Sequence, residues 1–225
     1  MIGFYDYTVI LTYLSAISGA VGIIISLSGD GHPFLGAFFL LFSGLCDAFD
    51  GKVAKTKKDR TASQMKFGIQ IDSLADLIAF GTLPAAIGAA MFRRYSMQVE
   101  KIHLSYTILM MAVIAVYVLA ALIRLAYYNI TEEERQSVET GARKTYTGLP
   151  VTSAALIFPL VLLIQYLIPS ADITPIYLAV MLFVAVAFVS KFKITKPGLR
   201  GIMIMIGIGL VEFLVLILFF IFNGQ

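Results

Sequence analysis

The chain has 225 residues, 59% of them hydrophobic and only 14% charged, with a formal net charge of +3 and a mean hydropathy of +0.89. Soluble domains carry about 25% charged and about 45–50% apolar residues, so this balance excludes an ordinary soluble domain and indicates a polytopic membrane protein. One cysteine, Cys46, rules out an intramolecular disulfide, and the two histidines, His32 and His103, argue against a histidine-rich metal site.

A transmembrane helix needs about 20 mostly apolar residues. Seven runs qualify, at roughly 7–28, 33–55, 68–91, 106–128, 151–168, 174–190 and 201–222. The first lacks a basic leader and a small-residue cleavage site, so it is expected to be retained, and residues 1–225 read as a single integral membrane domain. Thr12 in this run reads as a packing residue. The second run closes on "CDAFDGKVAK", with Asp47 and Asp50. A basic loop, "TKKDRTASQMK", leads to the third, which opens "GIQIDSLADLIAFG" and carries Asp72 and Asp76 in its first turns. The fourth ends in "ALIRLAYYN", with Arg124 near its end. Beyond it, "TEEERQS" reads as a capped, solvated helical turn. Arg143 and Lys144, just before "TYTGLP", read as a solvated basic loop. The sixth run is short. The seventh buries Glu212, and an acid at such depth is a functional hypothesis by default, although protonation or an interhelical hydrogen bond would also account for it.

Fourteen of the 17 Lys and Arg residues fall on one side of these spans, at 52–66, 124–144 and 191–200, and three, Arg93, Arg94 and Lys101, on the other. The positive-inside rule makes the rich side cytoplasmic, with the N-terminus inside and, for seven spans, the C-terminus outside. A basic cytoplasmic face attracts anionic lipid headgroups at about 1 kcal/mol per residue. No nucleic-acid partner is expected.

The four aspartates need a reason. A carboxylate at the centre of a span costs about 2.5–3.5 kcal/mol, so four would cost roughly 10–14. Asp47 and Asp50 are three apart and Asp72 and Asp76 four apart, so each pair shares one helix face. Because the two spans are antiparallel and joined by the cytoplasmic loop, all four lie at similar depth. Gly44, Gly51 and Ala54 flank the first pair and Gly68 the second, which lets helices or a ligand approach closely. Facing carboxylates repel, and a divalent cation removes the conflict. An all-oxygen set suits Mg²⁺, Mn²⁺ or Ca²⁺, and Mg²⁺ keeps positions open for substrate phosphate. The plainer alternative pairs the aspartates with Lys52, Lys55 or Arg124, or leaves them at solvated helix ends. A cation transporter is a rival, but such sites lie nearer the bilayer midplane.

The spacing resembles the CDP-alcohol phosphotransferase signature, D-x-x-D-G-x-x-A-R, a spacer, then G-x-x-x-D-x-x-x-D. Asp47, Asp50, Gly51, Ala54, Gly68, Asp72 and Asp76 match; Lys55 stands where the family has arginine, and the spacer, 56–67, is longer than usual. The resemblance implies an all-α polytopic fold of about seven transmembrane helices around a six-helix family core. It also implies Asp47, Asp50, Asp72 and Asp76 as ligands of Mg²⁺ or Mn²⁺ at two sites, with Asp76 as general base. Gly51, Ala54, Lys55 and Gly68 would line the CDP-lipid. "DSLADLIAFG", "ALIRLAYYN" and "YTGLP" look like the phosphatidylserine synthases of bacteria and archaea, with Arg124 and Asn129 matching and Tyr127 standing at a second arginine position. That implies transfer of the phosphatidyl group from CDP-diacylglycerol to L-serine with release of CMP, with Arg124, then Arg143 and Lys144, facing the serine carboxylate. Another acceptor, glycerol 3-phosphate or inositol, is the rival within the family. A homodimer in the plasma membrane, its site facing the cytoplasm, is the expected form.

Overall fold

The computed structural model describes residues 3–99, 102–138, 145–168 and 171–223. Within them seven apolar helical rods form a membrane bundle. α1 (Ile10–Leu27) follows a single 3₁₀ turn, Tyr7–Val9, and α2 spans Pro33–Ala54. α3 (Ala62–Asp76) runs through a π turn, Leu77–Thr82, into α4 (Leu83–Gln98), making one rod. α5 (Leu104–Val138), α6 (Ala154–Leu167), α7 (Thr174–Val189) and α8 (Leu199–Asn223) complete the bundle. Five rods are long and apolar enough to cross a membrane, and α6 and α7 are shorter apolar helices. The protein is therefore an all-α polytopic membrane protein. Large apolar side chains such as Met203, Ile204, Val211 and Leu214 of α8 point outward, as lipid contact requires.

Small residues set how closely the first helices approach. A Cβ on Gly19 would lie 2.9 Å from the Ala79 Cα, and one on Gly22 would lie 2.8 Å from the Phe39 Cβ. In the space so gained, Ser18 donates to the Phe39 carbonyl at 2.9 Å and Ser43 to the Ser15 carbonyl at 3.1 Å. Interhelical hydrogen bonds of this kind substitute for the hydrophobic drive that lipid does not provide. Gly44 does the same for α2 and α6, where an added Cβ would lie 2.6 Å from Ala155.

The π turn follows Asp76 directly. Pro84 has no N–H to offer the Phe80 carbonyl four residues back, and the buried Tyr117 hydroxyl donates to that carbonyl at 2.6 Å. Tyr177 donates in turn to the Pro84 carbonyl at 2.9 Å. The α5 tyrosine thus satisfies the carbonyl that the proline leaves open, which is how lipid-embedded helices tolerate it, and the α7 tyrosine ties the proline itself to α7.

Two helices run longer than hydropathy indicates. α3 starts at Ala62, not near residue 68, because Thr61 and Gln64 form a reciprocal capping box in the polar loop. Asp72 and Asp76 therefore lie in the third and fourth turns of the helix. The stretch 131–137 is not a separate capped turn but the continuation of α5. The Thr131 hydroxyl donates back to the Tyr127 carbonyl at 2.9 Å, and Glu132 and Arg135 pair at 2.6 Å on one face. At 35 residues α5 is about 52 Å long, against a hydrocarbon core of about 30 Å, so its end projects into water.

Two short strands, β1 (Thr145–Thr147) and β2 (Lys193–Thr195), pair antiparallel with Tyr146 opposite Ile194. Gly148 then turns with φ +74, and an added Cβ would fall 2.8 Å from the Phe188 carbonyl. Leu149 N–H donates to the Ala187 carbonyl at 3.0 Å, closing one of the open carbonyls at the end of α7. Glu212 is buried in α8, and neither of its carboxylate oxygens has a hydrogen-bond partner among the described residues.

Candidate metal centre and active site

α2 and α3 bring the carboxylates together. One oxygen from each of Asp47, Asp50 and Asp72 lies within 4.8 Å of the other two, and all three residues are half-buried. Asp76 stands one turn deeper on the Asp72 stripe, outside this group of three. Thr12 of α1 donates to Asp50 at 3.3 Å. Sequence reasoning assigned Thr12 to packing; only the crossing of α1 over the end of α2 shows that it holds a carboxylate.

The alternative of cation pairing does not hold among the described residues, where none of the four aspartates has an ion pair. Lys52 lies over the Phe49 ring at 5.2 Å from its centroid. Arg124, 5% exposed, donates through Nε to the Leu149 carbonyl at 3.1 Å and lies over the Tyr128 ring. Three convergent carboxylates without a cation partner form an all-oxygen donor set that fits a hard divalent ion.

The flanking small residues prove to have different surroundings. A Cβ on Gly51 would meet no atom within 4 Å among the described residues, so the helix face beside Asp50 is open there. Ala54 is half-buried, and Lys55 is exposed at the end of α2. Gly68 is covered by the Arg60 guanidinium, 2.5 Å from where a Cβ would sit. Sequence reasoning did not single out Arg60, which lies in the lengthened spacer.

Two of the motifs meet in space. Asn129 of "ALIRLAYYN" donates through Nδ2 to the Ser73 hydroxyl of "DSLAD" at 2.8 Å, fixing α5 against the helix of the second aspartate pair. The spacer is tied to the N-terminal segment by Lys57 to Asp6 at 3.2 Å and by a hydrogen bond between Thr56 and Tyr7. Asp6 also accepts from the Thr8 hydroxyl and backbone N–H; these bonds, then Lys57, hold its carboxyl at about 2, below the usual range. Lys101, Arg143 and Lys144 lie outside the described residues.

Residues 8–210 match the sequence profile of the CDP-alcohol phosphatidyltransferases. The chain belongs to that family. Among curated relatives of this family member, the CDP-diacylglycerol–serine O-phosphatidyltransferase of Saccharomyces cerevisiae is 33% identical over 65% of this chain and 50% of its own length. The enzyme of the same name from Helicobacter pylori is 31% identical over 72% of this chain and 61% of its own. The archaetidylserine synthase of Methanothermobacter thermautotrophicus is 31% identical over 65% of this chain and 53% of its own. The chain thus spans between 50% and 61% of the length of these relatives. No solved structure is a significant match.

Proposed function

We propose that the protein transfers the phosphatidyl group of CDP-diacylglycerol to the hydroxyl of L-serine, yielding phosphatidylserine and CMP. The observation that carries this reading is the convergence of Asp47, Asp50 and Asp72 at the signature spacing. The serine acceptor is supported by the names of the relatives, all of which denote serine-using enzymes. In this reading the three carboxylates hold Mg²⁺ or Mn²⁺, and Asp76 contributes to a second site. When bound, the ions neutralise the diphosphate and the charge that develops on the leaving CMP. Asp76 accepts the serine hydroxyl proton, because that hydroxyl is a poor nucleophile at neutral pH. The serine oxygen bonds to the phosphorus that carries diacylglycerol, and the bond from that phosphorus to the CMP oxygen breaks. Gly51 and Ala54 leave room for the nucleotide, and Lys55 lines its path. Arg124, Arg143 and Lys144 are the cations for the serine carboxylate.

The Lys and Arg asymmetry supports a site that faces the cytoplasm. We place the protein in the plasma membrane as a homodimer, as the family resemblance implies. The decisive experiment supplies purified protein with CDP-diacylglycerol, Mn²⁺ and, in separate reactions, labelled serine, glycerol 3-phosphate or inositol. CMP release that depends on serine, with label in phosphatidylserine, is expected. Release with another acceptor and none with serine would overturn the assignment.

A further inference from the structure

The signature arginine is absent: Lys55 takes its position and is exposed at the end of α2. A lysine offers a point charge, whereas a guanidinium presents a rigid, planar fork suited to phosphate. The longer spacer carries a guanidinium of its own. Arg60 immediately precedes the capping residue of α3 and folds back along that helix, donating through one terminal nitrogen to the Gln64 carbonyl at 3.2 Å. It comes to rest over Gly68. Residues 64, 68, 72 and 76 follow one another at four-residue steps and form one stripe on α3. The guanidinium therefore lies on the stripe of Asp72 and Asp76, about 6 Å along the axis before the turn of Asp72.

Two details separate this arginine from an ordinary surface cation. Its Nε is buried and has no hydrogen-bond acceptor among the described residues, whereas buried donors in folded proteins nearly always have one. An added Cβ at 68 would lie 2.5 Å from its terminal nitrogen, so a side chain there would push the guanidinium out of this seat. The spacer that carries it is held by the Lys57–Asp6 pair and by the Thr61–Gln64 box on either side.

We propose that Arg60 is a substrate-binding residue that grips the diphosphate of the CDP-lipid, supplying from the spacer the guanidinium that position 55 lacks. The proposal rests on the CDP-lipid reading above, though not on serine as acceptor. Gly68 then serves the nucleotide indirectly, by seating Arg60.

The test is calorimetric titration of CDP into the purified protein in detergent with Mn²⁺, comparing wild type, Arg60→Ala, Arg60→Gln, Gly68→Ala and the Arg60→Ala/Gly68→Ala pair. Arg60→Gln keeps a polar side chain but removes the charge, and a thermal melt of each variant in detergent shows whether the fold is retained. Loss of a charge-assisted contact is expected to weaken CDP binding about ten- to hundred-fold in both Arg60 variants. Gly68→Ala is expected to weaken it as well, and to add nothing once Arg60 is gone. KM for CDP-diacylglycerol should rise in parallel, with the serine KM unmoved. Wild-type protein that binds CDP, with Arg60 variants within twofold of it, overturns this proposal alone. A Gly68→Ala effect that persists in full without Arg60 also overturns it, since the glycine would then face the nucleotide directly. Failure of wild type to bind CDP removes the CDP-lipid reading and this proposal together. CDP binding without serine turnover removes only the acceptor assignment.

Discussion

Asp47 and Asp76 are chemically the same residue, yet their places in the cluster predict different losses. Asp47 belongs to the group of three, so Asp47→Asn removes one oxygen ligand and is expected to abolish Mn²⁺-dependent CDP binding together with turnover, in a protein that still folds. Asp76 stands a turn deeper. Asp76→Asn is expected to keep CDP-lipid KM largely intact and to lower kcat by about 10²–10⁴-fold, the usual loss when a general base is removed. Steady-state kinetics with each substrate varied in turn separates the two. An Asp76→Asn variant that chiefly loses CDP binding would make Asp76 a metal ligand throughout. At this scale the sequence was informative where period alone decides: spacings of three and four put each aspartate pair on one face, and the antiparallel spans did the rest. Thr12 and the seat of Arg60 were not legible, because the first depends on the crossing of α1 over α2 and the second on a loop side chain folding back along α3.

Hydropathy located every rod but stopped at the membrane boundary, so it could not register the first turns of α3 or the last turns of α5, which are stabilised by a cap and an ion pair in water. The β1–β2 pair was equally invisible. It joins three-residue segments far apart in sequence, and so short a strand has no period to detect. The "YTGLP" stretch shows what such a segment does. Gly148 sits at φ +74 with two carbonyls, of Phe188 and Ser190, within 2.9 Å of where a Cβ would be, and Arg124 grips the carbonyl of the next residue. Gly148→Ala is therefore expected to destabilise the fold by about 1–3 kcal/mol from backbone conformation alone. At about 2–4 °C per kcal/mol for a chain of this size, a thermal melt in detergent should fall by several degrees. An unchanged melting temperature would show that this turn does not clamp α7.

For the whole molecule, orientation follows from charge. A single cysteine at Lys58 or Met97, both exposed, in a Cys46→Ala background reports it. An impermeant thiol reagent applied to intact cells should label position 97 and spare 58. The reverse pattern would invert the protein and move the carboxylates to the outer face. The π turn has a consequence at this same scale. α3 buries one residue fully, Ala75, whereas α4 buries nine, from Leu83 to Phe92. A wider turn between them shifts angular phase by about one residue's share, roughly 100°. The rod therefore has two unlike halves, an α3 half that is mostly exposed or half-buried and an α4 half buried on nearly every side. Tyr117 and Tyr177 pin the second. The spacer between Lys55 and Gly68 and the aspartates all lie outside the buried half, so changes in them leave the alignment of that half to the two tyrosine hydroxyls.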